Sequence, residues 1–195
     1  MEPIAFGRLL RSNTTSCVVG CSVSQTGAPA FGQMVRIPLE DGVTVYGLVY
    51  DIHIDDDGLV RQIVTAPSVK PEVIEDNRRN RNMPVEMGVI FIGYAQEDRI
   101  SYALPPRPPL SLDAIFPCSV DEVLKFTSAN KFGYLRHLFR SPDLPSDDLL
   151  AAHLEQVKQS SPAGLDESAV SEVIALLKDD YTRLTTVLKA VSDVI

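Results

Sequence analysis

The densest positive charge in the chain is Arg78, Arg79 and Arg81, set in the run Asn77-Arg78-Arg79-Asn80-Arg81-Asn82. A guanidinium fork matches phosphate and carboxylate oxygens in pairs. This run is therefore the candidate contact for nucleic acid or for an acidic protein surface. So few charges bind weakly and in a salt-sensitive way. The plainer reading is a solvated loop that keeps the edge of a sheet soluble.

The other reactive side chains form no recognisable constellation. The chain has no Gly-Lys pair, so it lacks the phosphate-cradling loop and lysine of a P-loop ATPase. It has no HExxH and no cysteine pairs at zinc spacing. His53, His137 and His153 lie far apart along the chain, and a metal site would need all three to converge. Asp55-Asp56-Asp57-Gly58 suggests calcium, but the twelfth position from Asp55 is Ala66 where a bidentate Glu is required; the run reads as a solvated turn. Cys17, Cys21 and Cys118 have no base beside them that would activate a thiolate. Cys17 and Cys21 on one strand would stand roughly 13 Å apart, too far to bridge. All three read as buried thiols in a reducing compartment. No catalytic residue, cofactor or metal is expected.

Composition narrows the class further. Hydrophobic residues make up 45% of the 195, enough for a real core. The formal charge is −8. Residues 1–117 carry 10 basic and 14 acidic side chains, and residues 118–195 carry 8 and 12, so neither half is a basic nucleic-acid-binding lobe. No apolar run is long enough to span a bilayer, and the N-terminus lacks the pattern of a signal peptide. A cytoplasmic location is expected, and Asn13-Thr14-Thr15 reads as a chance glycosylation match.

The elements that must position these residues fall into three parts. Residues 4–10 and 15–23 read as a first hairpin around Ser12-Asn13-Thr14. Met34 to Leu39 and Val43 to Ile54 form a second, joined by Asp41-Gly42, with Gly47 marking a bulge or corner. Leu59 to Thr65 reads as a further strand. Residues 66–84 are a long excursion with a short helix at Pro71 to Asp76. Val85 to Ala95 and Arg99 to Leu104 then close the sheet around Glu97-Asp98. The run Pro105-Pro106-Arg107-Pro108-Pro109 is a semi-rigid seam lying along the barrel. Beyond it, Ser119 and Glu122 have capping-box spacing, Gly133 to Phe139 is a short helical segment, and Ser146 caps a helix to about Gln159. A last helix opens at Asp166. Its stripe is Val170, Val173, Leu177, Tyr181, Leu184, Leu188 and Val191, spaced three or four apart. That stripe packs in cis or zips onto another copy or another protein.

Several of these strands resemble a known family. Phe6-Gly7-Arg8-Leu9-Leu10, then Phe31-Gly32-Gln33-Met34-Val35-Arg36-Ile37, then Val45-Tyr46-Gly47-Leu48-Val49 are similar to the HAS-barrel. That barrel is shared by HerA-type DNA-translocating ATPases and is related to the N-terminal barrel of rotary ATP synthase subunits. Tyr102-Ala103-Leu104-Pro105-Pro106 resembles the way that barrel leads into its next domain. The likeness covers roughly residues 4–110. Here a helical segment stands where the ATPase core would follow, so ATP hydrolysis does not carry over, and the barrel offers no catalytic residues to transfer. The resemblance implies ring assembly or partner docking.

The expected architecture is therefore α+β: a small closed β-barrel over 1–104, a proline-rich linker over 105–117, and a helical region over 118–195. The expected role is a non-enzymatic assembly or adaptor module that docks a partner protein, a HerA-like ATPase or an associated nuclease, or that forms a homo-oligomer. The alternative is a weak nucleic-acid-binding barrel using Arg78, Arg79 and Arg81.

Overall fold

The computed structural model describes residues 4–21, 29–54, 58–80, 85–141, 144–160 and 167–192. Its strands are β1 (Gly7–Ser12), β2 (Ser16–Cys21), β3 (Met34–Pro38), β4 (Val43–Ile54), β5 (Val85–Gln96), β6 (Arg99–Ser101) and β7 (Ala114–Pro117). Six of them close a ring in the order β1-β7-β3-β4-β5-β2, antiparallel throughout, and β6 extends β5 outside it. The α-helices are α1 (Leu59–Thr65), α2 (Pro71–Asn80), α3 (Val120–Ser128), α4 (Arg136–Phe139), α5 (Ser146–Ser160), α6 (Glu167–Leu177) and α7 (Tyr181–Ser192), with a 3-10 turn at Gly133–Leu135 before α4. The fold is α+β, as expected.

Period-2 alternation builds the barrel. Val43, Val45 and Val49 of β4 point inward with Val85, Met87, Val89 and Phe91 of β5, Val35 and Ile37 of β3, and Cys17 and Val19 of β2. Leu9 and Ile115 complete this interior, which is filled with side chains. The opposite faces of the same strands carry Met34, Tyr46, Leu48, Ile90 and Ile92, and these pack against the helices. Gly47 sits where the β4–β5 register shifts; a Cβ there would lie 2.5 Å from Val89 and 2.8 Å from the Ile90 carbonyl oxygen. The missing side chain is what lets the two strands bend across each other.

The first hairpin turns on Asn13, whose Oδ1 accepts from the backbone N–H groups of Thr15 (2.8 Å) and Ser16 (2.9 Å). The supposed glycosylation site is thus an Asx-type turn residue.

Four expectations need correction. Arg99 to Leu104 does not close the barrel; β6 ends at Ser101 and pairs only with β5. The closing strand is β7, in the stretch expected to be linker, between β1 and β3. Tyr102 leaves the sheet because the helices take its polar groups, as described below. Leu59 to Thr65 is α1 rather than a strand. Its apolar pairs 59–60 and 63–64 recur after four residues, the spacing of a helix face. The expected helix at Pro71 to Asp76 extends as α2 to Asn80. Finally, the C-terminal stripe is not one helix. It breaks between Leu177 and Tyr181, where the Asp180 N–H reaches the Leu177 carbonyl (2.9 Å) and the Asp180 carboxylate accepts from the Arg183 N–H (3.0 Å), capping α7. The Asp55-Asp56-Asp57 turn lies outside the described residues.

A polar seam fixes the helices to the barrel. Gly32 adopts φ 81°, and a Cβ there would lie 2.8 Å from the His153 backbone nitrogen. Buried His153 donates from Nδ1 to the Gly32 carbonyl (3.2 Å) and accepts at Nε2 from the Tyr134 hydroxyl (2.7 Å). Tyr102 is a second fastener. Its hydroxyl donates to the Phe126 carbonyl, and its own carbonyl accepts from Arg136 and from His137 Nε2 (2.7 Å). Arg36, stacked on Phe116 at 5.0 Å, pairs with the capping-box Glu122 of α3 at 2.9 Å.

Two predictions follow from this packing. Gly47→Ala must displace Val89 or the Ile90 backbone and should cost about 2 kcal/mol in a urea titration; an unchanged midpoint would show that the β4 corner is not tight. Burial pushes His153 down to about 4 from the usual 6.5, and burial lowers His137 in the same direction. The unfolded chain therefore takes up protons that the folded chain refuses as pH falls from about 6.5 to 4. Stability present above pH 6.5 should be lost through that window, with His153 contributing on the order of 3 kcal/mol. His153→Gln should be less stable at pH 7 and show a shallower loss; equal slopes would refute the assignment.

Candidate functional site

The helices cover only part of the barrel wall, the outer faces of β3, β4 and β5. On the side of β1, β2 and β7 three leucines stand exposed: Leu10 at 46%, Leu110 at 72% and Leu112 at 68%. Leu10 lies across β2, and its side chain comes within 3.1 Å of where a Gly20 Cβ would be.

Leu110 and Leu112 flank a tight turn. The Asp113 N–H returns to the Leu110 carbonyl (3.2 Å), and the Leu110 N–H donates to the Asp113 carboxylate (2.7 Å). Leu112 has φ 74°, in the left-handed region. It occupies the third position, which turns of this kind give to Gly or Asn. A leucine there costs about 1–2 kcal/mol. The turn persists because β1 clamps it. The Leu112 N–H donates to Leu9 (2.8 Å), the Leu9 N–H to Asp113 (3.0 Å), Arg8 Nη1 to the Leu112 carbonyl (2.8 Å) and the Ser111 hydroxyl to Leu10 (3.1 Å). Strain held this firmly at an exposed apolar residue is a pointer to function. Arg8 and Arg11, both exposed, flank Leu10 on β1, and Arg11 pairs with Glu86 of β5 at 3.8 Å.

The proline seam leads into this turn. It passes Leu104 beside Thr15 and Phe91, then Pro106 and Arg107 beside Leu39, Val43 and Gln96, and reaches Pro109, whose carbonyl accepts from the Ser12 hydroxyl. Pro105 and Pro109 are buried. The seam lies along the barrel, as expected, and delivers the leucine turn to β1.

A second feature is a cleft of about 320 Å³ between the barrel wall and the end of α4. Thr15, Ser16, Tyr50, Ile90, Phe91 and Leu104 line the barrel side, and His137, Arg140, Ser141 and Leu144 the helical side.

The residues singled out from the sequence are dispersed. Arg78 and Arg79 lie in the last turn of α2, on a helix rather than in a loop, and Arg81 lies outside the described residues. The excursion α1–α2 presents Val64, Val73 and Ile74 to solvent. Of the C-terminal stripe, Val173 and Leu177 are buried in the chain's own helical core, where Leu184 and Leu188 pack partly buried, and Val170 is half-buried. Tyr181 is 77% exposed at the start of α7. Val191 lies in α7. Val187, absent from the expected stripe, is fully buried, because the break rotates α7 relative to α6. The histidines occupy β4, α4 and α5. Cys17 and Cys21 are free and buried inside the barrel, and burial drives the Cys17 thiol up to about 12. Burial, then the charge of Glu122, raises Cys118 well above the usual thiol value. These thiols stay protonated and unreactive at neutral pH.

The leucine turn was missed in the sequence because it was absorbed into the linker. Its one visible signal is a pair of leucines in a polar, proline-bounded segment.

The site thus belongs to a closed, filled six-stranded barrel whose flank of β1, β2 and β7 has little helical cover among the described residues. No family model matches the chain, and no curated protein matches it.

Replacing Leu112 by Gly relieves the left-handed strain and should raise stability by about 1 kcal/mol despite removing a large side chain. Chemical denaturation checks this, and a loss of stability would show that Leu112 is held by packing rather than strained for exposure.

Proposed function

We propose that this chain is a non-enzymatic docking module, a barrel of the HAS type followed by helices, that holds a partner protein through the leucine turn. The observation that carries this reading is Leu112: a large apolar side chain kept in solvent at a conformational cost, beside Leu10 and Leu110. A leucine cluster of this kind marks an interaction site. A stable interface buries about 800 Å² per partner, so the flanking surface of β1 and β2 takes part. Exposed Arg8, beside the turn, suits an acidic group on the partner. A HerA-like ATPase, or a nuclease working with one, is the partner class that the barrel resemblance favours.

The nucleic-acid reading has less support. Arg78 and Arg79 close α2, a place where cations complement the helix dipole without any ligand, and the net charge of −8 opposes phosphate binding.

A photo-crosslinking residue placed at position 110 tests the proposal in the native cell, with Thr185 on α7 as the control position. The expected outcome is one saturable protein adduct from position 110, absent from Thr185 and lost in Leu112→Asp. Labelling no greater than the control would refute it. Adducts only with the chain itself would replace the adaptor by a self-assembling module.

A further inference from the structure

The cleft at the end of α4 has a composition the docking role does not use. Its barrel side is apolar, with Ile90, Leu104 and the ring of Tyr50. Its helical side supplies His137, Arg140 and Ser141. No Asp or Glu is among the described residues that line it, in a chain of net charge −8. The Arg140 guanidinium and the hydroxyls of Tyr50 and Ser141 have no hydrogen-bond or ion-pair partner among the described residues. Three donors without a partner among the described residues therefore line one pocket with an apolar wall, and the volume of about 320 Å³ falls within the range of small-molecule sites.

We propose that this cleft binds a small organic anion, a carboxylate or phosphate head on an apolar body. The head pairs with Arg140, which matches two oxygens at once, and accepts from Tyr50 and Ser141. The body lies on Ile90 and Leu104. Tyr50 keeps its proton at neutral pH because burial, and then the neighbouring charge of Asp51, hold its hydroxyl above the usual value, so it serves as a donor. His137 faces the Tyr102 carbonyl from beyond β6 and the guanidiniums of Arg136 and Arg140 from its own helix; burial first, and those two charges, hold its pKa down. An anion beside Arg140 offsets that positive field, so occupancy must raise the His137 pKa, and protonation must tighten binding in return. The site is independent of the leucine turn, and either assignment can fail alone.

The test uses the full chain with octanoate and octyl phosphate as the amphiphilic anions, octan-1-ol as the uncharged body and inorganic phosphate as the bare head. Calorimetric titration should show octanoate or octyl phosphate binding at least tenfold tighter than octanol or phosphate; whichever of the two binds tighter identifies the head. Arg140→Gln, at an exposed position, should lose roughly tenfold of that affinity. The His137 ring, followed by NMR, should titrate at higher pH when the ligand is bound. Equal binding of octanoate and octanol, binding unchanged in Arg140→Gln, or an unmoved His137 titration would each overturn the proposal.

Discussion

Strands β3, β4 and β5 are apolar on both faces, and a strand of that kind needs cover on both sides. Inside the ring the cover comes from the opposite wall: Val45, Val49, Met87, Val89 and Phe91 meet Leu9, Val19 and Ile115. Outside it, Met34, Tyr46, Leu48, Ile90 and Ile92 would remain wet without the C-terminal helices, which bring Phe126, Tyr134, Leu150 and Leu154 onto them. The barrel and the helices are thus one cooperative structure. The Gly32–His153–Tyr134 chain and the Tyr102 carbonyl fix the register of that contact, because each buried polar group in it has a single satisfying arrangement.

The same constraint divides the surface. Among the described residues, helical cover falls on β3, β4 and β5, and the flank formed by β1, β2 and β7 carries little of it. Closure by β7 is what brings the leucine turn to that flank, since the turn is the segment through which the chain enters its last barrel strand. The interior of the ring is filled with side chains, and both the leucine turn and the cleft where the barrel wall meets α4 lie outside it.

Much of this was legible in the residues. The 12-residue β4 with Asp-Gly before it and Gly47 within it reads directly as a bent hairpin strand, and Ser119 with Glu122 as a helix start. What escaped had a physical reason in each case. β7 is four residues long and bounded by prolines and turns, too short for its alternation to show. α1 carries the β-branched residues Val60, Ile63, Val64 and Thr65, and that composition masks its four-residue apolar repeat. The break between α6 and α7 hides because the apolar spacing runs through it in phase, and two Asp residues cap as readily as they solvate. The strain at Leu112 has no signature at all, because nothing in a leucine announces a left-handed turn. The arginine run is the loudest chemical signal in the sequence, and two of its members lie in the last turn of α2.

The central claim is that the bare flank of the barrel, and the strained turn on it, are the surface this chain uses. Hydrogen–deuterium exchange of the chain, free and in complex with its native partner, tests that most directly. The account predicts new protection confined to residues 8–12 and 109–114, with α6 and α7 unchanged. Protection on α2 or on α6–α7, with the leucine turn exchanging as in the free chain, would contradict it.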